Sequence, residues 1–323
     1  MKKINIIWIF TFAIFFVITS CSAEDDNEVK PNRKEAQQHS FTKEVHVLIM
    51  GDSFSRDAFG YVPGVMADVR PEIYLDMELL YLGGKGLKYH WDYISNDKNN
   101  FILDEYSPNN DKWYSYANIF GGDIISSQNW DLVILQEGSS TARNSELTLE
   151  HVQTIGSYLR ERQPSVKLAF MLSPAKPEGS PALGNYTSDD VWNLYVKTSQ
   201  LLLANNAVDY IIPCGTAIQN ARQTSVDNYG DFGHLSYDGN HLQEGLPCLI
   251  EAYVGTQFLL DFFEEDASIE SSTLRVTKQW VNSLAVPGMH GSVIEGNDEE
   301  YAICKRSAMS ALEKPYEISN PLY

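Results

Sequence analysis

The feature that most constrains this chain is an apolar run that stops abruptly at a glycine and a serine. Val45-His46-Val47-Leu48-Ile49-Met50 leads straight into Gly51-Asp52-Ser53-Phe54-Ser55. A short run of this kind, cut by glycine, reads as a buried strand with a helix about to begin. Residues 73–82, 131–135, 166–172 and 208–213 read as four further strands. Helical stretches at 57–69, 146–162, 188–205, 214–222 and 242–263 fall between and after them. Strands that alternate with helices this often imply a parallel sheet of about five strands covered on both faces. In such sheets ligands bind beyond the carboxyl ends of the strands, which is where Ser53 falls.

The remaining segments are less regular. Residues 87–108 are polar and aromatic without a clean period and read as a long loop carrying His90 and Trp91, with a helix over part of 113–128. The tail from residue 264 holds two helical stretches, 272–284 and 298–312. In the second, Asn297 and Glu300 have the spacing of a capping box. Sixty residues with so little apolar content are expected to pack on the main domain rather than fold alone.

The first twenty residues stand apart. Lys2 and Lys3 precede an apolar run from Ile4 to Ile18, the layout of a secretory signal peptide. Its end, Ile18-Thr19-Ser20-Cys21, resembles a bacterial lipobox, which implies lipidation at Cys21. The acidic stretch behind it, Ser22 to Glu28, resembles the export signal of surface lipoproteins in Bacteroidetes. Residues 21–44 then read as a solvated tether and 45–323 as one domain. The expected location is the cell envelope, in the outer membrane, the periplasm or at the cell surface, with the lipid as the sole membrane contact. Three cysteines remain, Cys214, Cys248 and Cys304, at spacings that fit no zinc pattern, so buried free thiols are expected. The formal charge of −19 leaves no basic excess for phosphates and excludes nucleic acid as a partner.

A serine becomes a nucleophile only when a base takes its proton, and the base needs an acid to orient it. Asp238-Gly239-Asn240-His241 offers both, because a single turn places residues three apart on one side. With Gly51-Asp52-Ser53 after the first strand, Gly83-Gly84 after the second and Asp238-x-x-His241 late in the chain, the sequence resembles the SGNH (GDSL-like) hydrolases. Gly83-Gly84 with Leu87 and His90, Leu135-Gln136-x-Gly138-Ser139, and Asp238-Gly-Asn-His-Leu242 further resemble a sparsely characterised SGNH-like family common in Bacteroidetes.

The resemblance implies a three-layer α/β/α, flavodoxin-like fold and a serine esterase acting on a small-molecule or glycan ester. Ser53 would be the nucleophile, His241 the base and Asp238 its orienting acid. The oxyanion would be held by the N–H groups of Ser53 and Gly84, with Gly83 and Gly86 close beside the latter. Where the family pattern has an asparagine in its third block, this chain has Gln136, so the third oxyanion donor is carried over to its amide. By their place in the loop after the second strand, His90 and Trp91 either line the substrate pocket or pack that loop down. No cofactor and no metal are called for.

Two other classes compete with this reading. A glycan-binding surface lipoprotein on a decayed hydrolase fold is compatible with the altered third block. A metal-dependent adhesion domain is not, because the serines after Asp52 stand at the wrong offsets. Nor is there a glycine-rich loop with lysine for nucleotide phosphates.

Overall fold

The computed structural model describes residues 41–322. The signal peptide, the lipidation at Cys21 and most of the tether therefore lie outside the described residues.

The opening run forms β1 (Lys43–Gly51), and its side chains divide between two cores. Val45, Val47 and Ile49 point into one, Leu48 and Met50 into the other. That period of two on a wholly apolar strand is what a sheet covered on both faces requires. On one side β1 pairs in parallel with β2 (Ile73–Tyr81); on the other it pairs with β5 (Leu132–Leu135). Beyond β5 lie β6 (Lys167–Met171) and β7 (Tyr210–Ile212), again parallel. The five parallel strands run in the order β2-β1-β5-β6-β7, the flavodoxin-like arrangement. The switch point, where the order reverses, falls at β1 and therefore at Ser53.

The sheet has seven strands rather than five. Residues read as loop and helix instead form β3 (Phe101–Ser107) and β4 (Lys112–Ile119), an antiparallel hairpin added to the free edge of β2. Alternation along β3 is obscured in sequence by Asp104, which is buried because Arg56 pairs with both of its oxygens at 2.8 and 3.1 Å. The residues just before the hairpin, expected to be loop, form helix α3 (Leu87–Ile94), and α4 (Gly121–Ser126) is all that remains of the helix expected over 113–128. The stretch 57–69 is two helices, α1 (Ser53–Phe59) and α2 (Val62–Val69), broken at Gly60-Tyr61 with Pro63 in the first turn of α2.

One face of the sheet is covered by α3, α4 and α5 (Ser145–Arg162), with α6 (Ser188–Ala204) beside them. The other face carries α1, α2, α7 (Cys214–Ala221) and α8 (Leu246–Phe262). Every residue from Leu246 to Leu260 is buried, so α8 is covered all round rather than along one stripe, with Glu251, Thr256 and Gln257 as its buried polar residues. Its outer side is covered by the tail: α10 (Asp298–Glu313) packs on α7 and α8, and Asn297 and Glu300 close the capping box. Val281 and Leu284 of the short α9 (Lys278–Leu284), with Tyr301 and Ile303, belong to the same core as Val47 and Ile49. Cys214, Cys248 and Cys304 are all free and buried there.

Candidate active site

The turn that presents Ser53 is built from its chain neighbours and from Gln136 at the end of β5. Gly51 ends β1 so tightly that a Cβ would stand 2.1 Å from Ser55 Oγ and 2.6 Å from Gln136 Oε1. Asp52 is the N-cap of α1, its carboxylate accepting from the Phe54 N–H at 3.1 Å. Burial raises the Asp52 carboxyl to about 6, offset in part by that N–H and by Lys176. Gln136, at the end of β5, accepts from the Asp52 N–H at 2.7 Å and the Ser55 hydroxyl at 3.1 Å through Oε1, while Nε2 donates to the Glu137 carbonyl at 2.6 Å. A backbone N–H can only donate and a carbonyl only accept, so these partners fix which way the carboxamide points.

Gln136, expected to donate its amide to the oxyanion, turns instead into the protein. The side chain is wholly buried and its amide is spent inside the protein. It braces the nucleophile turn from below instead of facing the cleft.

Glu137 does comparable work for the neighbouring walls. One carboxylate oxygen accepts from Leu87 N at 3.1 Å and Gly138 N at 2.8 Å, and the other meets His151 Nδ1 at 2.8 Å. The loop after β2 is thereby tied to the loop after β5, across the end of β1. The approach is close: a Cβ on Gly86 would lie 1.9 Å from Glu137 Oε1. Gly84 borders the cleft in the left-handed region (φ +61°), with open space around its Cα.

The residue expected to be the base comes from the opposite side. Asp238 accepts from the backbone N–H groups of Asn240 (2.8 Å) and His241 (2.7 Å), a turn that Gly239 completes at φ +78°. The second carboxylate oxygen lies 3.0 Å from His241 Nδ1, and His241 Nε2 lies 2.9 Å from Ser53 Oγ. Partial burial works against the Asp238 charge, but the bonds from His241 and Asn240 outweigh it and hold the carboxyl below its ordinary range. An ionised carboxylate only accepts, so Nδ1 carries the proton and Nε2 is free to take one from Ser53. The three residues form a connected relay.

Sequence order gave no sign of what surrounds it. The tail delivers His290, whose ring lies 4.5 Å from that of His241 and stacks on Tyr237. Lys176, from the loop after β6, donates to Asn240 Oδ1 and sits 4.0 Å from the centre of the Phe54 ring. Asn240 Nδ2 is 3.2 and 3.1 Å from the two His241 nitrogens, a position over the ring rather than along either lone pair. Ser53, Gly84, Lys176, Asn240, His241 and His290 border one open cleft of about 730 Å³.

The segment that carries all of these residues except His290 has known kin. Residues 46–264 match the profile of DUF4886, described as a domain of unknown function. The chain belongs to the DUF4886 family. Among solved structures, it is similar to a DUF4886 family protein from Bacteroides uniformis, at 19% identity and a TM-score of 0.68, covering 86% of this chain and 98% of that one. A putative SGNH hydrolase from Slackia heliotrinireducens matches at 16% identity and a TM-score of 0.44, covering 67% and 99%. The acetylxylan esterase Axe2 from Geobacillus stearothermophilus matches at 13% and 0.42, covering 70% and 96%. No curated protein matches the chain. The first of these supports the fold assigned above; at TM-scores below 0.5 the other two carry no argument.

In this DUF4886 chain His90 and Trp91 do not border the cleft. His90 is fully buried beneath β1, near Gly51 and 5.4 Å from the Phe101 ring, and burial drives its imidazole down to about 3. Trp91 packs edge-on against Tyr158. Both face inward because the stretch is a helix and not a loop. The residue of α3 that does reach the cleft is Tyr89, exposed at 43% and flanked by Lys85.

Proposed function

We propose that this protein is a serine esterase that removes short acyl groups, with O-acetyl groups on carbohydrate as the favoured substrate. The observation that carries the reading is the continuous Ser53–His241–Asp238 chain, 2.9 and 3.0 Å at its two links, opening on a cleft. In this reading Ser53 Oγ attacks the ester carbonyl as His241 Nε2 takes its proton. The imidazolium is held by Asp238 and returns the proton to the departing alcohol. Water then repeats the sequence on the acyl-enzyme. In the same reading the backbone N–H groups of Ser53 and Gly84 receive the oxyanion, and Gln136, turned inward, is not among the donors.

Residues 1–21 support a lipid-anchored form in the cell envelope, with Cys21 carrying the lipid. Such a location gives access to glycans.

The test is labelling with a fluorophosphonate probe followed by peptide mapping, together with hydrolysis of an aryl acetate. The expected result is one label on Ser53 that disappears in His241→Ala, and turnover that falls to background in Ser53→Ala. Labelling at another residue, or equal rates for wild type and Ser53→Ala, refutes the relay. A second reading, a glycan-binding surface lipoprotein without turnover, is favoured by the inward-facing Gln136 alone. Glycan binding with no hydrolysis across an ester panel would select it.

A further inference from the structure

Lys176 is a cation in an unusual position. Only 3% of the residue is exposed, yet it borders the cleft that Ser53 opens on. An ammonium carries three donors. Among the described residues it finds one hydrogen-bond acceptor, Asn240 Oδ1, and no carboxylate forms an ion pair with it. The nearby acids are committed elsewhere: Asp238 to His241, Asp52 to the Phe54 N–H, and Asp57 to the Leu242 N–H. Burial presses the ammonium down to about 8, while the Asp52 and Asp238 charges support it, so it is cationic near neutral pH.

Burying a charge with spare donors is costly unless something completes its shell. The cleft is where that partner enters. A second lysine, Lys85, stands at the rim of the same cleft, in a chain whose formal charge is −19. Two positive groups thus border the opening, and the acid among its lining residues, Asp52, already accepts from the Phe54 N–H.

We propose that Lys176 receives a carboxylate carried by the substrate, which makes the preferred ester an acyl group on an acidic sugar, a uronic acid in chemical class. The turnover part of this inference rests on the esterase reading; the binding part does not. A neutral sugar offers Lys176 only hydroxyl oxygens. A carboxylate adds a charge-assisted bond to an ammonium that is itself shielded from water, which is where such bonds are strongest.

The experiment compares methyl galacturonide with methyl galactoside, which differ only in a carboxylate against a hydroxymethyl group, by calorimetry on the full-length protein. The galacturonide is expected to bind about 10- to 100-fold more tightly, the range set by one hydrogen bond between charged groups. In Lys176→Met the difference disappears, and in Lys176→Arg most of it remains. The acetylated forms of the two sugars should show the same ratio in kcat/KM.

Equal affinity for the two sugars in the wild type overturns the proposal. So does a Lys176→Met protein that weakens both sugars alike and keeps their ratio, since Lys176 would then only be holding Asn240 over the His241 ring. Should Lys176→Met fail to fold, the wild type decides by pH. The preference is present below about pH 8 and is expected to fade above it as the ammonium loses its proton, with Asp52, Asp57, Asp238, His241 and Arg143 facing it. A preference that does not change across that range overturns the assignment. Galacturonide binding without hydrolysis of any ester would instead refute the esterase reading and leave this one standing.

Discussion

The rings of His290 and His241 lie 4.5 Å apart at 40°, so the proposed base is backed by a second imidazole from the far end of the chain. Burial and the neighbouring His241 both hold His290 below the ordinary histidine range, which keeps it neutral near pH 7 and a packing surface rather than a competing cation. His290→Ala is expected to leave Ser53 reactive toward a fluorophosphonate while lowering kcat/KM by about 10-fold, as small misplacements of a reacting group do. His290→Phe should recover most of that loss. Steady-state kinetics on the two variants checks it; equal loss in both would mean that a nitrogen of His290 matters.

Asp238→Asn keeps the shape of the turn but presents Nδ1 of His241 with an amide in place of a carboxylate. Turnover of an aryl acetate is expected to drop by about 10³- to 10⁴-fold, the size of effect seen where the orienting acid of such a relay is neutralised. Thermal melting should change little.

Gln136 separates two roles that look alike in sequence. As a brace, its loss leaves the Asp52 N–H without an acceptor in a dry site. Gln136→Ala is therefore expected to cost about 1–3 kcal/mol of stability, read by denaturant unfolding, together with a fall in turnover. An oxyanion donor would behave differently, losing ~10²–10³ in turnover at unchanged stability.

Asp57 gives a pH signature. Its carboxyl is buried behind His241 and is raised to about 8 by burial, against 3.8 for the free group; the Leu242 N–H opposes this rise and the Asp52 charge adds to it. Between pH 4 and pH 8 the folded chain then holds a proton that the unfolded chain has lost. Stability from this group accordingly falls as pH rises through that window. Asp57→Asn should raise the melting temperature at pH 8 and change it little at pH 4. Calorimetric scans at the two values decide, and an equal shift at both would mean that the Asp57 carboxyl titrates alike folded and unfolded.

The thiols supply a simple control on packing. Burial pushes Cys214, Cys248 and Cys304 upward and away from the reactive thiolate. None of the three should react with a thiol reagent in the native protein, and all three should react once it is unfolded in denaturant. Reaction of any of them under native conditions would contradict the packing of α7, α8 and α10.

What could be read from the sequence was what local chemistry dictates. A wholly apolar strand ending in Gly51 predicts its own burial and the serine after it, and Asp238 and His241 lie close enough in sequence to meet through one turn. The hairpin β3–β4 was not legible, because Asp104 occupies an inward position that only Arg56, from α1, makes tolerable. Lys176 and His290 were hidden for a related reason. A lysine between prolines in a loop and a histidine in a polar tail look like surface residues until distant elements close around them. Gln136 was correctly singled out by position, yet its direction depends on Asp52 and Ser55, which sequence places 84 and 81 residues away.

The all-round burial of α8 sets a limit on where this protein can be cut. The region shared with the DUF4886 family ends at residue 264, just past that helix. A fragment trimmed to that boundary would lose α10, baring the outer side of a buried helix to water, and would lose the imidazole beside His241 as well. The smallest unit able to work is thus longer than the stretch by which its relatives are recognised.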